Sequence, residues 1–347
     1  NGRAARRFEN GTTMAIETEH SMHLGANVAL RVSPRLAAGT GAGRPFVDAG
    51  VTALSGTFQF RNIAIEAGRQ PWVWGQGMSG GLIASSSGPP LDMIRVTSDL
   101  PFRAPWIFRR LGLLRGMALV ADLGNKQTFP HSKLFAYRLG GQVTPWFELA
   151  SYVVGELGGE GAPGATVLDY VVDLIPPLKY SLRHKNRSQF SNKFSGVETR
   201  FRIPSLSGLQ LYTETGFDDA DPRRWRSTFW EDGGHILGFS LEQLGPENGL
   251  STAAEFHHTG LRFYKHTPFT TGLALNRTLF GDPLGNQGDG GYWRLSWDNG
   301  ARQSWRIDAA AERRRGDEYS TTSDGPNEDN FRFVLMRSLQ PEWRYRV

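Results

Sequence analysis

Along most of this chain, apolar and polar side chains alternate one for one. In the stretch GVETRFRIP, Val197, Thr199, Phe201 and Ile203 fall on one side while Glu198, Arg200 and Arg202 fall on the other. Leu250, Thr252, Ala254 and Phe256 alternate in the same way with Ser251, Ala253, Glu255 and His257. Leu168, Tyr170, Val172 and Leu174 oppose Asp169, Val171 and Asp173, and Trp343, Tyr345 and Val347 oppose Glu342, Arg344 and Arg346. A period of two puts successive side chains on opposite faces of a strand, whereas the three-and-four spacing of an amphipathic helix is scarce here. Turn-rich breaks such as GDPLGNQGDGG and SDGPNEDN separate the alternating runs. The pattern predicts about 18 antiparallel strands, with about 16 as the lower count, each roughly ten residues long.

One face of these strands gathers Arg, Glu and Asp, and the other gathers aromatic and aliphatic residues. A soluble sandwich also alternates, but so many strands in one sheet would have to close or split. The predicted fold is therefore all-β, a transmembrane antiparallel β-barrel with its oily face toward lipid and its charged face toward a wet lumen. Hydrocarbon offers the backbone no hydrogen-bond partners, so such a sheet closes on itself. Tight hairpins are expected across Arg61 and Asn62 and through a glycine turn at Gly140 and Gly141. The breaks at 79–92, 157–166, 184–191, 217–233 and 281–290 read as rim loops. The whole of 1–347 reads as a single barrel domain, with 79–92 as a loop inserted at the mouth or in the lumen.

Composition narrows the chemistry. Cysteine is absent from the 347 residues, which removes a disulfide framework, a Cys-based zinc site and a thiol nucleophile. The net charge of +5 is spread along the chain, with no basic stripe, so nucleic acid is not an expected partner. No apolar run approaches the roughly 18 residues of a membrane-spanning helix. Residues 1–10, NGRAARRFEN, lack the apolar core of a secretory leader.

The densest unusual stretch is RQPWVWGQGMSGGLIASSSGPP, residues 69–90. Trp72 and Trp74 sit at strand spacing, and their rings suit a membrane interface. Gly75, Gly77, Gly80 and Gly81 permit positive φ and close backbone approach, but their spacing matches neither a P-loop nor a dinucleotide fingerprint. Pro89 and Pro90 lack backbone donors and cannot continue a central strand. With Ser85 in the serine run before them, they shape a chain that bends off the wall and folds over or into the pore.

EAGRQPWVWGQGMSGGLIASSSGPPLDMIRVTSDLPF resembles the signature region of the capsule-assembly Wzi-type outer-membrane family: a strand ending in G-R-x-x-x-x-W-G-x-G, small residues, then a proline-containing segment. NKFSGVETRFRIPSLSGLQLYTETGFDD is similar to that family's pair of strands around an R-x-P corner. TGLALNRTLFGDPLGNQGDGGYWRLSW is similar to its late glycine-rich hairpin. The resemblance implies an 18-stranded barrel of the bacterial outer membrane that acts as a surface lectin for capsular or extracellular polysaccharide. It also implies a periplasmic helical bundle, for which this sequence carries no pattern. The expected partners are that polysaccharide and outer-membrane lipid; no cofactor is expected.

Candidate polysaccharide contacts are Arg69, Trp72, Trp74, Arg200, Arg202, Glu214, Trp225 and Trp230, because arginine forks grip acidic groups and aromatic faces pack on sugar rings. The plainer reading of Arg69, Glu198, Arg200, Arg202, Glu214 and Glu255 is cross-strand pairing that braces the wall. Asp218, Asp219, Asp221, Glu231 and Asp232 could offer oxygens to a hard cation, but their spacing is not that of an EF-hand loop, and a solvated acidic rim is the expectation. His257 and His258 are adjacent in a strand, face opposite sides and cannot chelate one metal together. No metal site is expected. Glu198, Glu214 and Glu255 could supply the two carboxylates of a sugar hydrolase, yet no nucleophile elbow is present and no catalytic residue is assigned. A porin or transport channel, a barrel scaffold for a protein partner and, last, a surface hydrolase stand as alternatives to the lectin.

Overall fold

A computed structural model of the chain describes residues 13–41, 44–78, 80–86, 88–163, 191–218, 225–245, 249–264, 268–275, 278–298, 303–315 and 331–343. The strand expected at Leu168–Leu174, the residues Asp219 and Asp221, and the terminal Tyr345 and Val347 lie outside the described residues.

The alternation becomes strand almost throughout. The first five strands are β1 (Thr13–Glu17), β2 (His20–Leu24), β3 (Val28–Gly41), β4 (Arg44–Phe60) and β5 (Ile63–Gln70). The wall continues through β6 (Leu91–Ser98), β7 (Leu113–Asp122), β8 (Lys133–Thr144), β9 (Phe147–Leu157) and β10 (Ser191–Ile203). It then runs through β11 (Leu209–Asp218), β12 (Gly233–Leu244) and β13 (Leu250–Thr259). A small separate pair, β14 (Ala274–Leu275) and β15 (Thr278–Leu279), precedes β16 (Gly288–Asp298), β17 (Gln303–Arg315) and β18 (Phe331–Trp343). Each wall strand pairs antiparallel with its chain neighbours, and β1 and β2 share one place beside β3. This is the up-and-down meander of an outer-membrane barrel.

Most short turns lie at one end and most long described connections at the other. Arg61–Asn62, Pro145–Trp146 and residues 204–208 turn at one end, where the longer 99–112 also lies, while 71–90, 123–132 and 260–287 connect at the other. Barrels of this class keep short turns in the periplasm and long loops outside, which orients the chain. The hairpin expected through Gly140 and Gly141 turns instead at Pro145 and Trp146; the two glycines stay paired inside β8. Proline has no N–H to extend the ladder, so the turn falls there.

The faces are sorted as the pattern requires. Leu54, Ile65, Ile94, Val120, Val197, Leu237 and Phe256 are exposed on the outer face. On the inner face, Glu198 and Glu214 stand directly opposite each other on β10 and β11, and both are buried. Exposed apolar rows along so many paired strands are stable only against hydrocarbon, where the backbone is already satisfied by neighbouring strands. No described helix is long and apolar enough to cross a membrane, and crossing by strands needs none.

Candidate functional site

The inner face is not an open bore toward the long-loop end. The connections 71–90 and 260–287 turn inward and pack into one apolar core with the wall. Leu82, Ile83 and Ala84 from the first loop meet Phe263, Tyr264, Leu273 and Phe280 from the second, against inward-facing Tyr152, Phe194 and Ile236. The loops are stitched together by Ser85, whose N–H donates to the Phe280 carbonyl at 2.9 Å and whose hydroxyl donates to the Gly281 carbonyl at 2.5 Å. The Tyr264 hydroxyl donates to the Leu82 carbonyl. β14 and β15 belong to this plug, so the late glycine-rich segment forms a small hairpin of its own within the loop before β16 begins.

Carboxylates on the wall hold the plug in place. Glu214 Oε1 accepts the Leu82 N–H at 3.0 Å and the Tyr152 hydroxyl at 2.9 Å. Two strands further on, Glu255 Oε1 accepts the Met78 N–H at 2.6 Å and the Tyr212 hydroxyl at 2.7 Å. Each tyrosine reaches its glutamate by crossing a strand at a glycine: Tyr152 passes over Gly196 and Tyr212 over Gly238, where a Cβ would strike the ring. On the loop side, Gly75 takes φ of +89° and lies so close to Gly81 that neither tolerates a side chain beside Glu214. The glycine cluster of the sequence is thus used for close approach of the loop to a buried carboxylate.

The second loop has its own clamp. His257 Nδ1 faces Asp282 Oδ2 at 2.5 Å and its Nε2 faces Glu255 Oε2 at 2.9 Å, all three side chains buried. Asp282 Oδ1 in turn accepts the Leu284 N–H at 2.9 Å. Buried charges are tolerated only when paired and hydrogen-bonded, and this cluster satisfies that condition. Both ring nitrogens of His257 are engaged by carboxylates, so the cluster holds the second loop to the wall.

Level with the Glu214 anchor and on toward the short-turn end, the lumen is lined by arginine–carboxylate pairs. Arg138 grips Glu198 with two bonds of 2.8 and 2.7 Å, Arg202 meets Glu148 at 2.8 Å, and Arg294 meets Asp308 at 2.6 Å. Arg95 pairs with Glu66. Arg200 differs: its guanidinium donates to the amide oxygens of Gln76 at 2.9 Å and Gln210 at 3.1 Å and lies 5.5 Å over the Tyr212 ring.

The expected contact residues therefore scatter. Trp72 and Trp74 are 3% and 6% exposed, pack edge to face with centroids 5.0 Å apart and belong to the plug core. The interfacial placement expected for them is corrected: β5 ends at Gln70, so they lie on a loop that has already turned inward. Arg69 is not lumenal. It shares the outward parity of Ile63 and Ile65 and pairs with Asp92 at 2.6 Å. Glu214, Arg200 and Arg202 do line the lumen, at and below the plug. Gly75, Gly77 and Ser85 lie within the plug loop, and the half-buried Pro89 and Pro90 lead directly into β6. Trp225 and Trp230 sit on a short helix, Trp225–Trp230, and are 66% and 54% exposed.

Nor is the acidic stretch a free rim. Glu231 pairs with Arg262 at 2.9 Å, Asp232 pairs with the same guanidinium, and Asp218 is buried. Among the described residues no group of acidic and histidine side chains is placed to hold a metal ion. His257 and His258 face opposite sides, His258 meeting Asp289 at 2.8 Å on the outer surface. Sequence reasoning missed the plug's second half. Its signal was a break rich in aromatics, with Phe263, Tyr264, Phe269 and Phe280 in a segment otherwise marked as turn.

A meander of this sidedness, its long-loop end filled by two of its own loops, defines an outer-membrane β-barrel of the plugged kind. The chain belongs to the capsule assembly protein Wzi family, whose model matches residues 3–334. Among solved structures it is similar to Wzi, an outer membrane protein involved in group 1 capsule assembly in Escherichia coli and described as a carbohydrate-binding β-barrel. That likeness has 16% identity and a TM-score of 0.65, over 89% of this chain and 72% of the other. A weaker likeness, with 10% identity and a TM-score of 0.37 over 88% and 94% of the two chains, is to a loop-deletion mutant of OmpT, an outer membrane protein of Vibrio cholerae. No curated protein sequence matches the chain.

Proposed function

We propose that this chain, as one barrel domain, holds capsular or extracellular polysaccharide at the cell surface by non-enzymatic binding. The observation that carries the reading is the two-loop plug: long loops that fill the bore leave a surface for a polymer instead of a passage through the wall. Family membership supports it, as does the likeness to a barrel described as carbohydrate-binding. Around the plug, the exposed Lys126, Thr128, His131 and Thr270 offer polar groups on the long-loop end. Contacts of this kind are individually weak, and a repeating polymer gains retention by making many at once.

The test pairs the purified barrel with isolated capsular polymer and a deletion strain with its parent. Binding by the barrel and a loss of cell-bound polymer in the deletion strain are expected; neither appearing would overturn the proposal. Sustained conductance in planar bilayers would turn the reading toward transport, release of reducing ends toward a hydrolase, and a stoichiometric co-purified protein toward a scaffold.

A further inference from the structure

The short helix Trp225–Trp230 is fastened to the lipid side of the wall. His235 and His258 are cross-strand partners on β12 and β13, and by strand parity they share the outward face with Leu237 and Phe256. The Nε2 of His235 donates to the Phe229 carbonyl at 2.7 Å, and the Nε2 of His258 donates to the Trp230 carbonyl at 2.9 Å. Their Nδ1 atoms are held by Thr215 at 3.2 Å and Asp289 at 2.8 Å. The Phe229 ring stacks on His235 with centroids 4.0 Å apart, and Trp230 meets His258 edge-on at 5.1 Å. Both imidazoles are fully partnered, so they act as a clamp on the helix's last turn.

Height along the wall decides what the helix meets. Leu237 and Phe256, both exposed, lie two residues below the histidines, about 7 Å along their strands. From Leu209 to Phe217, which packs against Phe229, β11 covers about 27 Å, or about 20 Å along the membrane normal at a tilt of about 40°. The clamp therefore stands at the upper edge of an apolar band that in such barrels is about 25 Å tall. Nearby Glu231 and Asp232 are turned to Arg262, which keeps these acids from confronting the membrane unpaired.

We propose that this helix is a lateral membrane anchor seated in the headgroup layer of the outer leaflet, with Trp225 and Trp230 as its lipid contacts. The occupant is lipid because the helix is clamped directly above the lipid-facing Leu237 and Phe256 of β12 and β13, and indole rings favour that boundary. The inference rests on the barrel standing in a membrane, not on what its mouth binds. Its failure would leave the polysaccharide reading untouched, and the reverse holds too.

The experiment compares the full chain with its W225F/W230F variant, each reconstituted in phospholipid bilayers brominated either near the headgroup or near the chain ends. The emission difference between the two proteins isolates the tryptophan pair, and phenylalanine preserves the apolar packing. Shallow bromines are expected to quench that difference about twofold or more, and deep bromines less. A difference signal that neither lipid quenches would overturn the proposal, whether or not added polysaccharide shields it. Quenching by deep bromines above shallow ones would overturn the headgroup placement as well.

Discussion

Tyr152 on β9 reaches across β10 at Gly196 to donate its hydroxyl to Glu214 on β11, 2.9 Å away. The same device recurs two strands on, where Tyr212 crosses Gly238 to Glu255 at 2.7 Å. Each glutamate keeps a second bond for the backbone of the plug loop, so wall and plug share their anchoring atoms.

Adding a methyl where the first tyrosine crosses displaces the ring and releases Glu214. Gly196→Ala is expected to lower barrel stability by about 1–3 kcal/mol, the usual range for overpacking. Heat-modifiable gel migration at rising temperature measures it, and a Tyr152→Phe/Gly196→Ala double variant should lose less than the sum of the two single changes.

Gly75→Ala strikes the backbone of Gly81 and asks an alanine to hold φ of +89°. The cost of about 1–3 kcal/mol falls on the loop and not on the strands. The expected outcome is a folded barrel that passes current in planar bilayers where the parent passes none. A silent variant with unchanged melting would show that the plug does not depend on this approach.

Removing His257 leaves Glu255 and Asp282 as buried carboxylates without their shared partner, whereas removing Asp282 leaves His257 paired with Glu255. His257→Ala is expected to destabilise by about 3–5 kcal/mol and Asp282→Ala by less, with the double variant far from additive. Protease cleavage within 260–287 in the single variants, at temperatures where the parent resists, reads the loosening of the second loop.

The sidedness of the wall gives a sharper contrast. Val197→Arg places a charge in lipid and is expected to cost about 2–4 kcal/mol in bilayer-folded protein near the midplane. Arg200→Gln, on the inner face of the same strand, should change stability little, since its present partners are the amide oxygens of Gln76 and Gln210. Equal effects of the two would reverse the assignment of faces.

Position below the plug separates the lumenal arginines from the surface. Arg200→Gln and Arg202→Gln are expected to leave binding of external polysaccharide unchanged within about twofold, because a sealed mouth keeps the polymer from reaching them. Titration of purified barrel with polymer provides the measurement.

Much of this was legible in the sequence. Glu198, Arg200 and Arg202 against Val197 and Phe201 declare opposite faces, and the burial of Glu198 beside exposed Val197 agrees. The inserted loop was visible from Pro89, Pro90 and the glycines. Trp72 and Trp74 misled because spacing by two looks identical in a strand and in an extended segment that has left the sheet. Arg69 misled for a related reason: parity is relative, and charge alone does not tell which face of a strand's end it occupies.

Alternation by itself fixed the all-β wall and its two-faced character, because the period of a strand is a local property that hydrophobic contrast reports residue by residue. The pairing of Glu214 with Leu82 across 132 positions, the clamp of His257 on Asp282 and the outward seat of Trp230 were decided only in three dimensions. Those contacts join segments whose meeting depends on loop paths, and a loop path is set by the packing of the whole interior, which no local pattern encodes.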